Sequence, residues 1–511
     1  MAAREVQLAE LCSLVTALGK DGGLISPSIY DTAQVIRLYP PKEGVEPALH
    51  WLLNQQQADG GWGEPEVPYA RDVPTLASVL ALHTYADAAN TGNAQRSQAI
   101  DAGLAFFDQQ AEQWAEMPID ALPIATEMIL PYLIEEANRL GLGVNRAPYA
   151  TLYQLRDRKC RYISSKLLEI SAPPTYSWEA LGRQAHSIRP DHSGGIGHSP
   201  AATAAWLCQA EHQPELVDSC HTARHYLEKA AAATGVDIPG VVPNVWPITG
   251  FELAYAPYAL LVTALLRQPA IGEAIDPLMD KLWCIMQREG GVSFGECFTP
   301  DVDDTGLALA VLQATSRPVD SAAVLQFKNG DHFCTFHHEL NPSIFANAHA
   351  LYGLAYVGER YPAAENFLRE GQCEDGRWQA DKLHSSWLYT TLEVVLILNH
   401  LGYKMEVQKA ADALLHHQRI DGGWGSGRSA SRIETSYALL TLATLDRRGL
   451  LQEAGKNALQ GGYEWLNNRY SPYHFSRKQL WLGKELYIPY RVDRVYELST
   501  LLSVAPEGVL L

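Results

Sequence analysis

The feature that most constrains the fold of this chain is a short motif, Gln-x-x-Asp-Gly-x-Trp, that recurs along it. The motif occupies residues 56–62, 372–378 and 418–424, and a degenerate copy begins at residue 287. Each copy follows an amphipathic segment, and its Asp-Gly step is typical of the turn that ends a helix. The last two copies begin 46 residues apart, the length of one helix pair in a repeat array. We therefore predict that each copy joins successive helices, with its Trp ring stacked on the Gln amide and the next helix.

The hydrophobic pattern between these motifs is helical. Apolar residues recur at three- and four-residue steps, and strand-like alternation is scarce. The clearest such segments are residues 73–85, 123–140, 201–210, 257–266, 346–357, 389–401 and 435–445. Stretches rich in Gly and Pro interrupt them at 21–27, 190–200 and 235–250. The pattern predicts an all-α protein of two toroidal helix-pair (α/α) barrels, with the main seam near residue 250.

Composition narrows the class of protein. The 511 residues are 47% hydrophobic and carry a net charge of -18, which argues against nucleic acid and anionic membrane surfaces as partners. No run approaches the about 20 apolar residues of a membrane span, and the N-terminus lacks the apolar stretch of a secretory signal. Eight cysteines are scattered without a Cys-x-x-Cys pair. We interpret them as reduced thiols of a cytoplasmic protein.

Residues 301–304, Asp-Val-Asp-Asp, place three carboxylates directly before an apolar segment. Thr299 can cap a helix and Pro300 suits its first turn, so we expect the acids on the opening turn of a helix. A helix N-terminus favours ionised carboxylates, whereas burial and mutual repulsion favour retention of a proton. A proton held in an apolar pocket suits attack on a carbon–carbon double bond. For this motif alone, a solvated or metal-binding acidic helix start is the alternative.

Asp-x-Asp-Asp-Thr before an apolar helix, together with the repeated motif, resembles the class II terpene cyclases. That family includes the squalene-hopene cyclases and the copalyl-diphosphate-type diterpene cyclases. Further local matches favour the bacterial diterpene-cyclase branch and extend the resemblance over nearly the whole chain. These matches lie at residues 26–33, 198–204, 323–328, 341–349 and 480–487, the last reading Leu-Trp-Leu-Gly-Lys-Glu-Leu-Tyr.

The resemblance implies a β domain of residues 1–20 and 251–511 that carries the acid motif. A γ domain of residues 21–250 would be inserted into it, with the active site in the cleft between them. The family protonates the distal double bond of an isoprenoid diphosphate and leaves the diphosphate intact. By family position Asp303 is the acid, while Asp301 and Asp304 orient it and hold its proton. An apolar lining would exclude water, and aromatic faces would stabilise the carbocation.

The group that ends the reaction is less well defined by the resemblance. Plant relatives that form ent-copalyl diphosphate use a His–Asn pair. Asn244, in a Pro-Asn-Val segment, matches the Asn, whereas Tyr176 stands where the His would be. A Tyr and an Asn can hold a water that takes the final proton. Alternatively, Asn244 caps the domain seam and Tyr176 is a packed aromatic residue, so stereochemistry and terminating group stay open.

The diphosphate of such a substrate needs cations. Lys166 is the first candidate by analogy with a Lys-bearing stretch of the relatives, and Lys484, in the 480–487 match, is the second. Relatives also carry an acidic segment that binds magnesium. Glu116 and Asp120 are the corresponding acids here, in a motif that has decayed. Oxygen ligands of this kind fit Mg²⁺ bound through a substrate phosphate, and two exposed loop acids are the alternative.

The expected substrate is geranylgeranyl diphosphate, cyclised to a bicyclic copalyl-type diphosphate. A sesquiterpene enzyme that converts farnesyl diphosphate to drimenyl diphosphate would share every motif named above. Ionisation of the diphosphate by a metal cluster fits poorly, because the chain lacks the Asp-Asp-x-x-Asp motif of that chemistry. A helical-barrel glycoside-processing enzyme and a non-enzymatic helical scaffold are more distant hypotheses. Expected partners are the isoprenoid diphosphate and a downstream class I terpene synthase or phosphatase, and the oligomeric state is open.

Overall fold

A computed structural model describes residues 2–86, 93–115, 122–164, 170–337, 339 and 341–505. The α-helices are α1 Ala2–Ala17, α2 Ile29–Leu38, α3 Glu46–Asn54, α4 Asp72–Thr84, α5 Asn93–Ala111, α6 Thr126–Arg139, α7 Ala150–Ser164, α8 Pro200–Ala210, α9 Val217–Ala232, α10 Thr249–Val262, α11 Pro269–Glu289, α12 Val302–Ala314, α13 Ala322–Leu325, α14 Ile344–Tyr356, α15 Pro362–Glu370, α16 Trp387–Leu401, α17 Lys404–His417, α18 Arg432–Asp446, α19 Glu453–Asn467 and α20 Tyr490–Ser503. The strands are β1 Lys328–Asn329, β2 His332–Phe333, β3 Trp481–Leu482 and β4 Leu486–Tyr487, paired as two small antiparallel hairpins. No helix in this part of the chain is long and apolar enough to cross a membrane.

Six helices of the C-terminal half form a closed ring, called here the first ring. Helices α10, α12, α14, α16, α18 and α20 each pack on the next, and α20 packs back on α10. Helices α11, α15, α17 and α19 lie outside these, each against one or two members of the ring. The N-terminal helix α1 packs on α20 and α11 and so belongs to this outer layer. The first and last described helices therefore belong to the same body.

A smaller second ring forms from the intervening residues. Helices α2, α4, α6 and α8 close into a ring through a 3-10 segment, Pro173–Ala180, that packs between α6 and α8. Helices α3, α5, α7 and α9 pack outside it. Two helix-pair rings confirm the all-α prediction. The domain boundaries stay a prediction, and the one at 250/251 falls just inside α10, which begins at Thr249.

All seven segments with helical periodicity coincide with ring helices, namely α4, α6, α8, α10, α14, α16 and α18. Neighbouring helices surround most of these helices, so most of their residues are buried, whereas α6 keeps a polar face. Helix α10 differs from the prediction because it begins at Thr249, well before residue 257. Pro257 lies inside the helix and does not start it. Tertiary packing overrides the local signal here.

The repeated motif joins three helices by hydrogen bonds. In the first copy the Gln56 amide donates to the carbonyls of Gly60, in its own turn, and Ala99, in α5, at 2.8 and 2.9 Å. The Trp62 indole N–H donates to the carbonyl of Leu52 in α3 at 2.8 Å. The copies at 372–378 and 418–424 make the corresponding bonds. Each motif joins successive helices, as predicted. The contacts that join them are hydrogen bonds from the Gln and Trp side chains, whereas the sequence had suggested stacking of the Trp ring.

A third bond ties each motif to the ring helix that follows. The backbone N–H of the motif Trp donates to a Thr hydroxyl in the first turn of that helix, at 2.9, 3.1 and 3.0 Å in the pairs Trp62–Thr75, Trp378–Thr391 and Trp424–Thr435. The degenerate copy keeps this bond, from Val292 N–H to Thr305 Oγ1 at 2.9 Å. Thr305 directly follows the three acids. The repeat therefore fixes where the acid motif starts on α12.

Candidate active site

The three acids occupy the N-terminus of α12. Asp301 is the N-cap, and its carboxylate accepts from the backbone N–H of Asp304 at 2.8 Å. The acids lie on the opening turn as predicted, but the predicted cap was wrong. Backbone bonding of Asp301 to Val292 holds Asp301 extended, so the helix starts after it. Thr299 instead donates to the carbonyl of Ser171, which lies just before the 3-10 segment of the second ring.

Asp303 is bonded through both of its carboxyl oxygens. Oδ2 accepts from the Tyr255 hydroxyl at 2.6 Å, and Oδ1 is in close contact with Nδ1 of His349. The Asp303 side chain keeps 11% exposure, whereas His349 is completely buried. Two glycines allow this contact between α12 and α14, because a Cβ on Gly353 would lie 2.4 Å from the carbonyl oxygen of Gly306. Close helix approach thus brings the histidine to the acid.

His349 is held between two carboxylates. Its Nε2 lies 3.1 Å from Oε2 of Glu393, and both side chains are fully buried. Glu393 Oε2 also accepts from the Tyr258 hydroxyl at 2.6 Å. Burial lowers the pKa of His349, but Asp303 and Glu393 outweigh it and raise that pKa to about 9. The imidazole is therefore a cation at neutral pH.

The two flanking acids retain protons. Burial and the charge of Asp303 raise the pKa of Asp301 to about 8. Burial, with the charges of Asp301 and Asp303, raises the pKa of Asp304 well above its usual value. Asp301, Asp303 and Asp304 are called here the acid cluster, in which two carboxyl groups that hold protons flank a third, Asp303, that contacts an imidazolium. Such a site suits general acid catalysis.

Aromatic side chains continue from the acid cluster. The Trp481 ring lies 5.1 to 5.2 Å, between ring centroids, from Phe251, Tyr255 and Tyr389. His384 lies 4.8 Å from Trp481, and burial lowers its pKa to about 3, so its imidazole is neutral. His384 therefore adds no positive charge to the aromatic wall formed by Phe251, Tyr255, Tyr389 and Trp481. Ring faces of this kind attract cations.

Asn244 and Tyr176, predicted from separate segments, meet at Gly483. A Cβ on Gly483 would lie 2.3 Å from Nδ2 of Asn244 and 3.0 Å from the Tyr176 hydroxyl, so only glycine fits. Asn244 is fully buried, and neither polar atom of its amide has a hydrogen-bond partner among the described residues. Gly483 O accepts from Ile124 N–H at 2.8 Å, which places this point where the two rings touch. Asn244 and Tyr176 are called here the termination pair, after the role predicted for them from the sequence.

Lys484, one residue further in the β3–β4 turn, is fully buried. Its ammonium donates to Glu179 at 2.8 Å and to Ser199 at 2.6 Å, and lies 3.7 Å from Asp31. The ammonium also stands 4.7 Å from the centre of the Tyr176 ring. These contacts tie the turn to the second ring. A diphosphate would have to displace them, so the predicted diphosphate role of Lys484 stays a prediction.

The remaining predicted binding residues, Lys166, Glu116 and Asp120, lie outside the described residues. Within the described ranges, no group of three or more His, Cys, Asp or Glu side chains could hold a metal ion. The predicted diphosphate and magnesium contacts of these three residues therefore stay predictions.

Sequence reasoning missed the groups that surround Asp303. His349 ends the 341–349 segment that carried part of the resemblance, yet it received no role. Glu393 was detectable as a lone acid inside the apolar run of α16, since an unpaired charge is costly there. Tyr255 and Tyr258 carried no comparable signal, because tyrosines are common in apolar helices.

Comparisons with known proteins identify relatives of the whole chain. No family model matches the chain. The (+)-kolavenyl diphosphate synthase of Herpetosiphon aurantiacus is 40% identical, covering 98% of both chains. The ent-copalyl diphosphate synthase of a Streptomyces species is 34% identical over 94% of this chain and 92% of the relative. The solved ent-copalyl diphosphate synthase of Streptomyces platensis superposes with a TM-score of 0.80 at 27% identity, covering 97% of this chain and 99% of that one.

Similarity to such synthases over nearly the whole chain, a matching two-ring fold and a buried acid cluster at the start of α12 lead to one conclusion. The chain belongs to the class II terpene cyclases, in the branch of the copalyl and kolavenyl diphosphate synthases.

Proposed function

We propose that this cyclase protonates the terminal double bond of geranylgeranyl diphosphate and closes it to a bicyclic copalyl-type diphosphate. The observation that carries the proposal is the buried acid cluster, with Asp303 bonded to Tyr255 and His349. The names of the relatives support a C20 substrate and a retained diphosphate, because kolavenyl and copalyl diphosphates are diterpenoid products.

Asp303 is the proposed acid. An alkene is a weak base, so protonation requires a conjugate base that is stabilised as soon as it forms. The Tyr255 hydroxyl and the His349 imidazolium supply that stabilisation, because both donate toward the Asp303 carboxylate. In the step the Asp303 O–H bond breaks and a C–H bond forms at the less substituted carbon of the terminal double bond. The electrons of the double bond provide the new bond and leave a tertiary carbocation.

The carbocation then reacts with the internal double bonds to close two rings. Ring faces of Phe251, Tyr255 and Trp481 lie next to the acid cluster, where they stabilise positive charge. Their apolar surroundings reduce the access of water, which would otherwise capture the cation. The proposed wall therefore protects the cation until the rings have formed.

The termination pair is proposed to end the reaction. The unpartnered amide of Asn244 and the hydroxyl of Tyr176 can together hold a water molecule. Burial raises the pKa of Tyr176 well above its usual value, so the phenol is neutral and is a poor base by itself. The water would take the last proton, as the resemblance implies for a His–Asn pair in relatives.

Diphosphate binding is proposed for Lys166, with Mg²⁺ held by Glu116 and Asp120. When bound, the metal would neutralise charge on the diphosphate and would not ionise it. Chelation should therefore raise the KM for the substrate while released inorganic pyrophosphate stays at background. Stoichiometric pyrophosphate release would contradict a reaction that retains the diphosphate.

A cytoplasmic location is proposed because all eight cysteines are free thiols. The product still carries its diphosphate, so a class I terpene synthase or a phosphatase is the proposed next enzyme.

The experiment that tests the function is incubation with C15 and C20 isoprenoid diphosphates. Products are dephosphorylated and identified by mass spectrometry and NMR. We expect bicyclic C20 alcohols. Drimenol from farnesyl diphosphate, without a C20 product, would instead assign the alternative drimenyl diphosphate synthase activity. Absence of any cyclised product with magnesium present would overturn the proposal.

A further inference from the structure

Glu393 is a buried carboxylate that contacts His349, the partner of Asp303. It lies on α16, on the side of His349 opposite to Asp303, with its Oε2 3.1 Å from the imidazole Nε2. The Tyr258 hydroxyl donates to Oε2 at 2.6 Å, and the Tyr496 hydroxyl donates to Oε1 at 3.4 Å. Glu393 is 1% exposed, so solvent does not screen its charge. It does not contact Asp303 directly in any hydrogen bond described for either residue.

Glu393 matters because Asp303 must be neutral before it can protonate the substrate. Asp303 must carry a proton before it can give one, and a protonated carboxyl group is neutral. In that state Asp303 no longer provides a negative charge for His349, and Glu393 is the carboxylate that remains in contact with the ring. A buried imidazolium without a counter-charge would lose its proton, because burial disfavours the charged form.

We propose that Glu393 is a positioning residue that keeps His349 protonated while Asp303 holds the proton to be transferred. This inference rests on the proposed function, in which Asp303 is the acid. The Asp303 O–H bond then breaks beside an imidazolium that is already in place, and the new carboxylate is stabilised without rearrangement. With a neutral imidazole, either Asp303 would be a weaker acid or its proton would move to His349 before the substrate reacts.

Other titratable groups around His349 do not supply this charge. Tyr255 and Tyr258 of α10 and Tyr389 of α16 face the ring edge to face at 5.7, 5.5 and 6.3 Å between centroids. The pKa of each of these tyrosines is raised well above its usual value, chiefly by burial, so all three are neutral. Asp303 of α12 and Glu393 of α16 are the carboxylates in contact with the ring.

The test compares Glu393→Gln with wild type in the pH dependence of kcat/KM for geranylgeranyl diphosphate. An opposite charge at this distance shifts a pKa by about 1–3 units. We therefore expect the alkaline limb to move by about 1–3 pH units to lower pH, with kcat/KM at pH 8 reduced by about 2-fold at the lower end of that range and about 100-fold at the upper end. Glu393→Asp keeps the negative charge, so its alkaline limb should lie between those of wild type and Glu393→Gln.

Glu434→Gln is the matched control. Glu434 is a fully buried glutamate of α18, also in the first ring, and it accepts hydrogen bonds from serines and not from a histidine. Its substitution changes buried charge in a similar environment but should leave the position of the alkaline limb unchanged. Circular dichroism and thermal unfolding verify the fold of every variant.

The outcomes separate this inference from the proposed function. Wild type that forms no cyclised product contradicts the proposed function. Wild type that cyclises, with a folded Glu393→Gln variant whose pH profile superimposes on it, overturns the role of Glu393 alone. If Glu393→Gln does not fold, Glu393→Asp decides: a limb displaced to lower pH supports the role, and an undisplaced limb overturns it.

Discussion

The two ends of the candidate site are built differently. The acid cluster and its partners come from helices α10, α12, α14 and α16 of a single ring, and both oxygens of Asp303 are engaged. The termination pair lies where the two rings touch, and the amide of Asn244 is left without a hydrogen-bond partner among the described residues. One end is organised to hold a defined set of charges. The other keeps hydrogen-bonding capacity that only a bound molecule would use.

The neighbouring charges follow the same division. At the acid end two carboxylates enclose His349 and raise its pKa. At the termination end Lys484 is enclosed by Glu179 and Asp31, and it anchors the turn that carries Gly483. The carboxylates at the acid end favour the protonated form of His349, whereas the ion pairs of Lys484 hold the backbone of the turn that carries Gly483 in place. We therefore expect substitutions at the acid end to change the rate and substitutions at the termination end to change the product.

The largest effect is expected for Asp303→Asn. The amide keeps the size of the side chain but has no acidic proton, so cyclisation should fall by at least about 10²–10⁴-fold. Product formed per enzyme is measured by mass spectrometry after dephosphorylation. Asp320→Asn, at an exposed carboxylate, is the control and should match wild type. A folded Asp303→Asn enzyme with near wild-type turnover would show that Asp303 is not the acid.

The pH dependence should also separate the two ends. Asp301 has a raised pKa of about 8 and His349 one of about 9. Their protonated forms are present below these values and are lost as the pH rises through them, so the rate should fall about tenfold per unit above about pH 8 and more steeply above about pH 9. Tyr176 titrates well above 10, so the product ratio should stay constant over the same range. A rate that increases from pH 7 to pH 9 would contradict the charge assignment of the acid end.

Asn244→Ala and Tyr176→Phe should change products more than rates. Loss of either polar group removes a contact to the proposed water, so the final cation should lose a different proton or capture water itself. We expect new alkene isomers or hydroxylated products, with total turnover within about tenfold of wild type. Product ratios from gas chromatography are the measurement. An unchanged product with a large loss of rate would assign these residues to the acid step.

Lys484→Met should lower stability and shift the product ratio less than Asn244→Ala does. Removing one partner of a buried ion pair costs about 3–5 kcal/mol, because the remaining carboxylates lack a counter-charge. Thermal unfolding, KM and product ratio are measured together, with Lys478→Met as the control. Lys478 pairs with Glu66, but at partly exposed side chains. A KM raised tenfold or more with an unchanged product would favour the predicted contact of Lys484 with the diphosphate.

The smallest effect is expected for the threonines that follow the repeated motif. Thr305→Val and Thr391→Val each remove a hydroxyl that accepts from a buried backbone N–H, of Val292 and Trp378 respectively. An unsatisfied buried N–H costs about 1–3 kcal/mol, so both variants should lose similar stability. Thr305 alone follows the acids, so only its variant should also lose activity. Equal activity losses would show that the motif acts on the site through general stability.

The sequence by itself determined the helical class, the repeat and the position of the acids at a helix start. These follow from periodicity and turn chemistry, which are local properties of the chain. It also indicated Asn244 and Tyr176 through resemblance, but not that they meet at Gly483. That meeting depends on how two rings contact each other, and no local pattern encodes it.

Tertiary structure alone decided what surrounds Asp303. Tyr255, His349 and Glu393 come from three helices, and Gly306 and Gly353 let α12 and α14 approach closely enough for His349 to contact Asp303. The charge of His349 likewise depends on burial and on two carboxylates far apart in sequence. Burial and contact distance set these energies, and both exist only once the ring has closed.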